Sequence, residues 1–107
     1  MSVRFLLDVR VKPGSRDDLT RAYAALRQRV EHAPGLISHQ LCESIDDPER
    51  WLVISEWTDL ESSTAWDRSE EHARLIGPMR ACFTQASTAK FHVRDGALDA
   101  RTGEARS

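Results

Sequence analysis

Residues 3–11 alternate without a break, with Val3, Phe5, Leu7, Val9 and Val11 on one face and Arg4, Leu6, Asp8 and Arg10 on the other. A period of two marks a strand with one dry face and one mixed face. Pro13-Gly14 ends it. Leu19, Ala22, Leu26, Val30 and Ala33 then follow at three- and four-residue steps, which predicts an amphipathic helix over 16–33 closed by Pro34-Gly35. Ser15, with Asp18 three residues on, reads as a capping-box start for that helix.

The same switching continues. Residues 36–44 and 50–57 read as two strands joined by a hairpin at Asp46-Asp47-Pro48. Apolar residues fall on both faces of 50–57, so both faces are expected to be covered. Thr58 or Asp59 can cap a helix that carries Leu60, Ala65 and Trp66, and Ser69 can restart it out to Leu75. Gly77-Pro78 is expected to interrupt it, with one more helical turn from Met79 to Phe83. Residues 85–94 make a last strand, with Ala89, Phe91 and Val93 on one face and Lys90, His92 and Arg94 on the other.

The order β-α-β-β-α-β predicts an α+β, ferredoxin-like fold, a four-stranded antiparallel sheet with its helices on one face. Residues 1–94 form the domain, and 95–107 read as a polar tail. The helices leave one sheet face bare, and a second copy of the chain is the expected cover, making a homodimer.

Composition narrows the function. The formal net charge is -2, with no basic run, which argues against nucleic acid as a partner. No stretch approaches the roughly 18–20 apolar residues of a membrane span. Met1-Ser2-Val3-Arg4 leads straight into the first strand without a signal-peptide pattern, so a cytoplasmic protein is expected, with Cys42 and Cys82 as free thiols. His32, His39, His72 and His92 are scattered, with no metal-ligand spacing. No phosphate loop, dinucleotide fingerprint or nucleophile elbow is present. If the chain is an enzyme, it is expected to work without a bound cofactor or metal.

The chemistry-bearing residues gather between 51 and 72. Trp51 and Trp57 share a strand face, and Trp66 lies on the next helix; together they either fill a core or wall a flat aromatic pocket. Ser62 is four residues before Trp66 on one helix face, and His72 is the candidate general base. His39 and His92 are assigned to a polar sheet surface or a dimer seam.

The stretch Glu56-Trp57-Thr58-Asp59-Leu60-Glu61-Ser62-Ser63-Thr64-Ala65-Trp66-Asp67-Arg68-Ser69-Glu70-Glu71-His72 resembles the antibiotic biosynthesis monooxygenase family, with its strand, helix and short Ser-x-x-His segment. Pro34-Gly35 and the Asp46-Asp47-Pro48 hairpin sit where that family has them, and the resemblance covers roughly residues 3–94. It implies a dimeric α/β barrel of two ferredoxin-like chains. Haem-degrading members carry a His iron ligand where this chain has Leu75-Ile76-Gly77, and an Asn on the first strand where it has Asp8, which argues against that branch. The polyketide oxygenases often carry Asn and Tyr where this chain has Ser62 and His72.

The resemblance therefore implies a cofactor-free monooxygenase. It would oxidise a polycyclic aromatic polyketide of anthrone type to a quinone, with molecular oxygen as co-substrate, in antibiotic or pigment synthesis. His72 would be the base, Ser62 and the Trp66 indole N–H would bond substrate oxygens, and Trp51 and Trp57 would supply flat walls. The competing readings are a polyketide cyclase and a non-catalytic domain that binds an aromatic ligand.

Overall fold

The computed structural model describes residues 1–97. The elements run β1 (Val3–Val11), α1 (Arg16–Val30), β2 (Leu36–Glu43), β3 (Arg50–Trp57), α2 (Leu60–Asp67), α3 (Glu70–Arg80) and β4 (Phe83–His92). The four strands form one antiparallel sheet in the order β2-β3-β1-β4. This is the ferredoxin-like α+β arrangement that the sequence pattern predicts. No described helix is long and apolar enough to cross a membrane. The polar tail expected over 95–107 lies outside the described residues from 98 onward.

Alternation decides which sheet face is dry. On β3, Trp51, Val53, Ser55 and Trp57 are buried against the helices, and on β1 Val3, Val9 and Val11 join them. Leu52, Ile54 and Glu56 point the other way and are only half-buried, so among the described residues only the helix-facing side of β3 is fully covered. Helix α1 buries Leu19, Tyr23, Leu26 and Val30, a stripe at four- and three-residue spacing. Asp17 and Asp18 sit in its first turn and Arg27 and Arg29 in its last, each with the sign the helix dipole favours. Fully burying side chains of this size stabilises by roughly 1.5–3 kcal/mol each.

Three local expectations are corrected. Ser15 makes no side-chain capping bond, since its backbone at φ −96°, ψ 6° is not in the extended conformation a cap adopts, and the Asp18 carboxylate pairs with Arg21. Helix α1 ends at Val30 rather than 33, since Glu31 to Ala33 already form turns leading into Gly35. Helix α3 runs through Gly77-Pro78 to Arg80 instead of breaking there. Pro78 lies on the exposed side, while Leu75 and Met79, four residues apart, are both buried and hold the last turn on the core. By contrast, Asp59 caps α2 and Ser69 caps α3, each accepting a backbone N–H three residues on.

Candidate active site

Between the sheet and the helices lies a cleft of about 640 Å³. That volume is within the range of small-molecule sites, about 300–1,000 Å³. Phe5 and Leu7 of β1, Val53 and Trp57 of β3, and Ile76 and Met79 of α3 supply its apolar surface. His39, Trp66, Asp67, His72, Arg80 and Lys90 supply its polar groups.

The break between α2 and α3 builds one wall. The Ser69 hydroxyl donates to the Trp66 carbonyl at 2.7 Å and accepts the His72 backbone N–H at 3.0 Å. One side chain thus ends α2, starts α3 and fixes Trp66 beside His72. The two rings meet edge to face, with centroids 5.7 Å apart and planes at 72°. Among the described residues the Trp66 indole N–H has no hydrogen-bond partner, and it is not sealed from solvent. Burial holds the His72 imidazole below its ordinary titration range, against the opposing pull of Asp67 and with a smaller push from Arg80. At neutral pH this imidazole is uncharged and able to accept a proton.

The sequence-derived site residues separate in space. Trp57, Trp66 and His72 line the cleft together. Trp51 does not: its ring is buried near the start of α1, with the Arg16 guanidinium 5.3 Å from its centroid and its indole N–H donating to the Pro48 carbonyl at 2.9 Å. Ser62 does not line it either. It sits against Gly35 on a shallow groove shared with Arg29 and Pro34, and Trp66 borders both this groove and the cleft. Trp57 presents only ring carbon to the cleft, because its N–H is spent on Ser55 Oγ at 3.0 Å in the core.

Two cleft residues escaped the sequence reading. Lys90 of β4 reaches back to Asp67 of α2 at 2.8 Å, with its ammonium 5.5 Å from the Phe5 ring centroid. With Arg80 it leaves the cleft with one more positive than negative side chain. Period-two alternation only sets Lys90 on the face opposite Ala89 and Phe91, and the pairing with Phe5 of β1 is what turns that face towards the helices. His39, assigned by sequence to a sheet surface or dimer seam, instead faces the helices opposite Ser55, where its Nδ1 lies 2.9 Å from the Tyr23 hydroxyl. Burial, with His72 adding to it, pushes its pKa down to about 4, and burial pushes the Tyr23 phenol up to about 12.

His39 should make folding sensitive to mild acid. Its folded pKa lies near 4 against an ordinary value of 6.5, so the unfolded chain takes up a proton that the native chain refuses. The stabilisation is complete above the ordinary imidazole range and is lost as pH falls toward the folded value. By pH 5 the loss is about 2 kcal/mol. Melting curves at pH 7.5 and 5.0 are expected to differ by roughly 8–16 °C more for the wild type than for His39→Gln. Equal shifts in the two proteins would show that His39 does not carry the effect. Among the described residues, no group of three or more His, Cys, Asp and Glu side chains is placed to hold a metal ion.

A ferredoxin-like sheet with its helices on one face and an aromatic, imidazole-lined cleft beneath them defines an α+β domain of the ferredoxin-like class. Comparison with known proteins gives it a family. The model of the antibiotic biosynthesis monooxygenase family matches residues 3–77, and the chain belongs to that family. The chain is similar to the 42.8 kDa protein in the whiE locus of Streptomyces coelicolor, at 35% identity over 98% of this chain and 27% of that protein. It is also similar to the polyketide synthase CurD of Streptomyces cyaneus, at 30% identity over 84% of this chain and 24% of that protein. The chain thus spans about a quarter of the length of the curated relatives it matches. Among solved structures, SnoaB from Streptomyces nogalater, a cofactor-independent oxygenase, shares the fold with a TM-score of 0.81 and 19% identity, over 92% of this chain and 98% of that one.

Proposed function

We propose that this chain is a cofactor-independent monooxygenase that oxidises the activated methylene of an anthrone-type aromatic polyketide to a quinone carbonyl. The observation that carries the proposal is the pairing of His72, whose imidazole burial holds below its ordinary range, with Trp66 in the wall of one largely apolar cleft, the Trp66 indole N–H having no partner among the described residues. The relative named as a polyketide synthase supports the substrate class, and the cofactor-independent oxygenase that shares the fold supports the metal- and flavin-free route.

The chemistry asks little of the protein. An anthrone methylene is acidic because its carbanion is an aromatic enolate. His72 accepts the methylene proton. The Trp66 N–H bonds the oxygen on which charge grows, and the positive rim of Lys90 and Arg80 favours the anion. The enolate passes one electron to dioxygen, and the resulting radicals combine into a carbon-bound peroxide. Protonation by the His72 imidazolium and loss of water, which carries away the second methylene hydrogen, leave the carbonyl. One oxygen atom enters the product and the other leaves as water, so no external reductant is needed.

Trp66→Phe tests the indole's role. Phenylalanine keeps most of the apolar surface and loses only the N–H. The kcat for anthrone oxidation is expected to fall roughly tenfold or more per folded molecule. A lower melting temperature with normal turnover would make Trp66 a core residue instead.

The proposal includes a homodimer. Leu6, Leu52, Ile54, Ala89 and Phe91 share the sheet face that no described helix covers, and Phe91 is 55% exposed. Two such faces packed together would bury them, with an interface above the roughly 1,000 Å² typical of stable contacts. Sedimentation at micromolar concentration is expected to give twice the chain mass, and a monomer would contradict this part of the proposal.

A further inference from the structure

The His39–Tyr23 pair has no part in the mechanism above, yet His39 lines the same cleft. Tyr23 is buried on the inner face of α1, and its hydroxyl reaches His39 Nδ1 on β2 at 2.9 Å. The rings lie 5.6 Å apart, tilted by 32°. Among the described residues, Nδ1 is the one hydrogen-bond partner of the phenol oxygen. If Nδ1 carried the imidazole proton, it would donate to the phenol, and the phenolic proton would have no acceptor in a buried site. An unmet donor of that kind costs about 1–3 kcal/mol. The phenol therefore donates, Nδ1 accepts, and the single proton of a neutral imidazole sits on Nε2. Nε2 makes no hydrogen bond within the described residues and is not sealed from solvent, and His39 is part of the cleft wall.

We infer that His39 is a catalytic residue of the proposed oxidation, holding the substrate enolate oxygen through its Nε2–H, and that Tyr23 is the positioning residue that keeps the proton on that nitrogen. This rests on the function proposed above and assigns the two cleft histidines opposite tasks. His72 takes the carbon-bound proton, and His39 holds the electron pair this leaves on oxygen. The donor must be uncharged. An imidazolium would hand its proton to the oxygen and give the enol, which is a poor electron donor to dioxygen. A neutral N–H bonds the oxygen and leaves the anion intact. The burial that keeps His39 neutral thus serves the chemistry. The role that sequence reasoning gave to Ser62, a second donor beside Trp66, falls to a residue from the opposite side of the cleft.

The test uses the full chain. Long-range proton–nitrogen correlation spectra at pH 7 are expected to show His39 as the Nε2–H tautomer, and Tyr23→Phe is expected to mix the two tautomers. With anthrone, His39→Gln places an amide N–H near the position of Nε2 and should keep kcat within roughly fivefold, whereas His39→Leu should lose roughly a hundredfold. Tyr23→Phe should lower kcat roughly tenfold with KM unchanged. Melting temperatures correct each rate for folded fraction. Binding of 1-naphtholate, measured without dioxygen at a pH above that of naphthol's own ionisation so that the oxyanion is the species present, reads the same contact without turnover: the wild type and His39→Gln should bind it roughly tenfold tighter than His39→Leu.

An Nδ1–H tautomer, a glutamine variant as poor as the leucine one, or naphtholate binding indifferent to position 39 would each overturn the inference. If the wild type fails to oxidise anthrone, the proposed function falls. The tautomer and naphtholate measurements still decide whether His39 is an oxyanion donor.

Discussion

His72→Ala is expected to lower kcat for anthrone oxidation by roughly a thousandfold, because positioned proton transfer contributes about 10²–10⁴ to a rate. The side chain is half-buried at the cleft wall, where it meets Trp66 edge to face, so the variant should fold. The loss of that contact should cost on the order of 1 kcal/mol. The pH profile adds a signature that packing alone would not give. Because burial holds the imidazole below its ordinary range, the wild type should be fully active at neutral pH. Its kcat/KM should fall only as the solution turns acid enough to protonate the base. The variant should lose that acid limb, and added imidazole should restore part of the rate. Turnover at the wild-type level per folded molecule would remove His72 from the mechanism.

Gly35→Ala is expected to destabilise the fold by about 3 kcal/mol, lowering the melting temperature by roughly 12–24 °C. Two effects add. Gly35 has φ +86°, in the left-handed region where a side chain is strained. A Cβ there would also come within 2.5 Å of Ser62 Oγ and Cβ and 2.9 Å of Thr58 Oγ1. The loop cannot swing away freely, because the Gly35 carbonyl accepts the Thr58 N–H at 2.8 Å. Gly14 is the control. Its φ is +84°, yet nothing lies within 4 Å of its would-be Cβ, so Gly14→Ala should show the strain alone, about 1 kcal/mol. Removing the Ser62 side chain alongside Gly35→Ala should recover part of the difference. Equal losses at Gly14 and Gly35 would show that the crowding against α2 contributes nothing.

That contact also explains why one site residue was misplaced by the sequence. Ser62 and Trp66 do share a helix and border one surface groove, but Ser62 is turned onto the Gly35 turn and only Trp66 also reaches the cleft. Spacing along a helix says which residues are neighbours and not which neighbour the fold turns inward. Trp51 and Trp57 raise the same problem on a strand. Alternation puts both on the dry face, yet six residues separate them, and only Trp57 lies where α3 leaves room for a cleft. The strands and the caps Asp59 and Ser69 were legible because they depend on local patterns that the structure keeps. The unbroken run of α3 through Gly77-Pro78 was not, because the burial of Leu75 and Met79 overrides a local helix-breaking signal. His39 lies on a strand whose alternation is poor, and only the pairing with β3 brings it opposite Ser55 and within reach of Tyr23. Such contacts between distant segments are invisible to periodicity.

The proposed activity is tested most directly by turnover of anthrone under ¹⁸O₂ in ordinary water, using protein freed of metal by chelation and of flavin by dialysis. The expected result is oxygen uptake equal to anthraquinone formed, with one ¹⁸O atom in each new carbonyl. No oxygen uptake, a requirement for added metal or flavin, or a carbonyl oxygen drawn from water would contradict it.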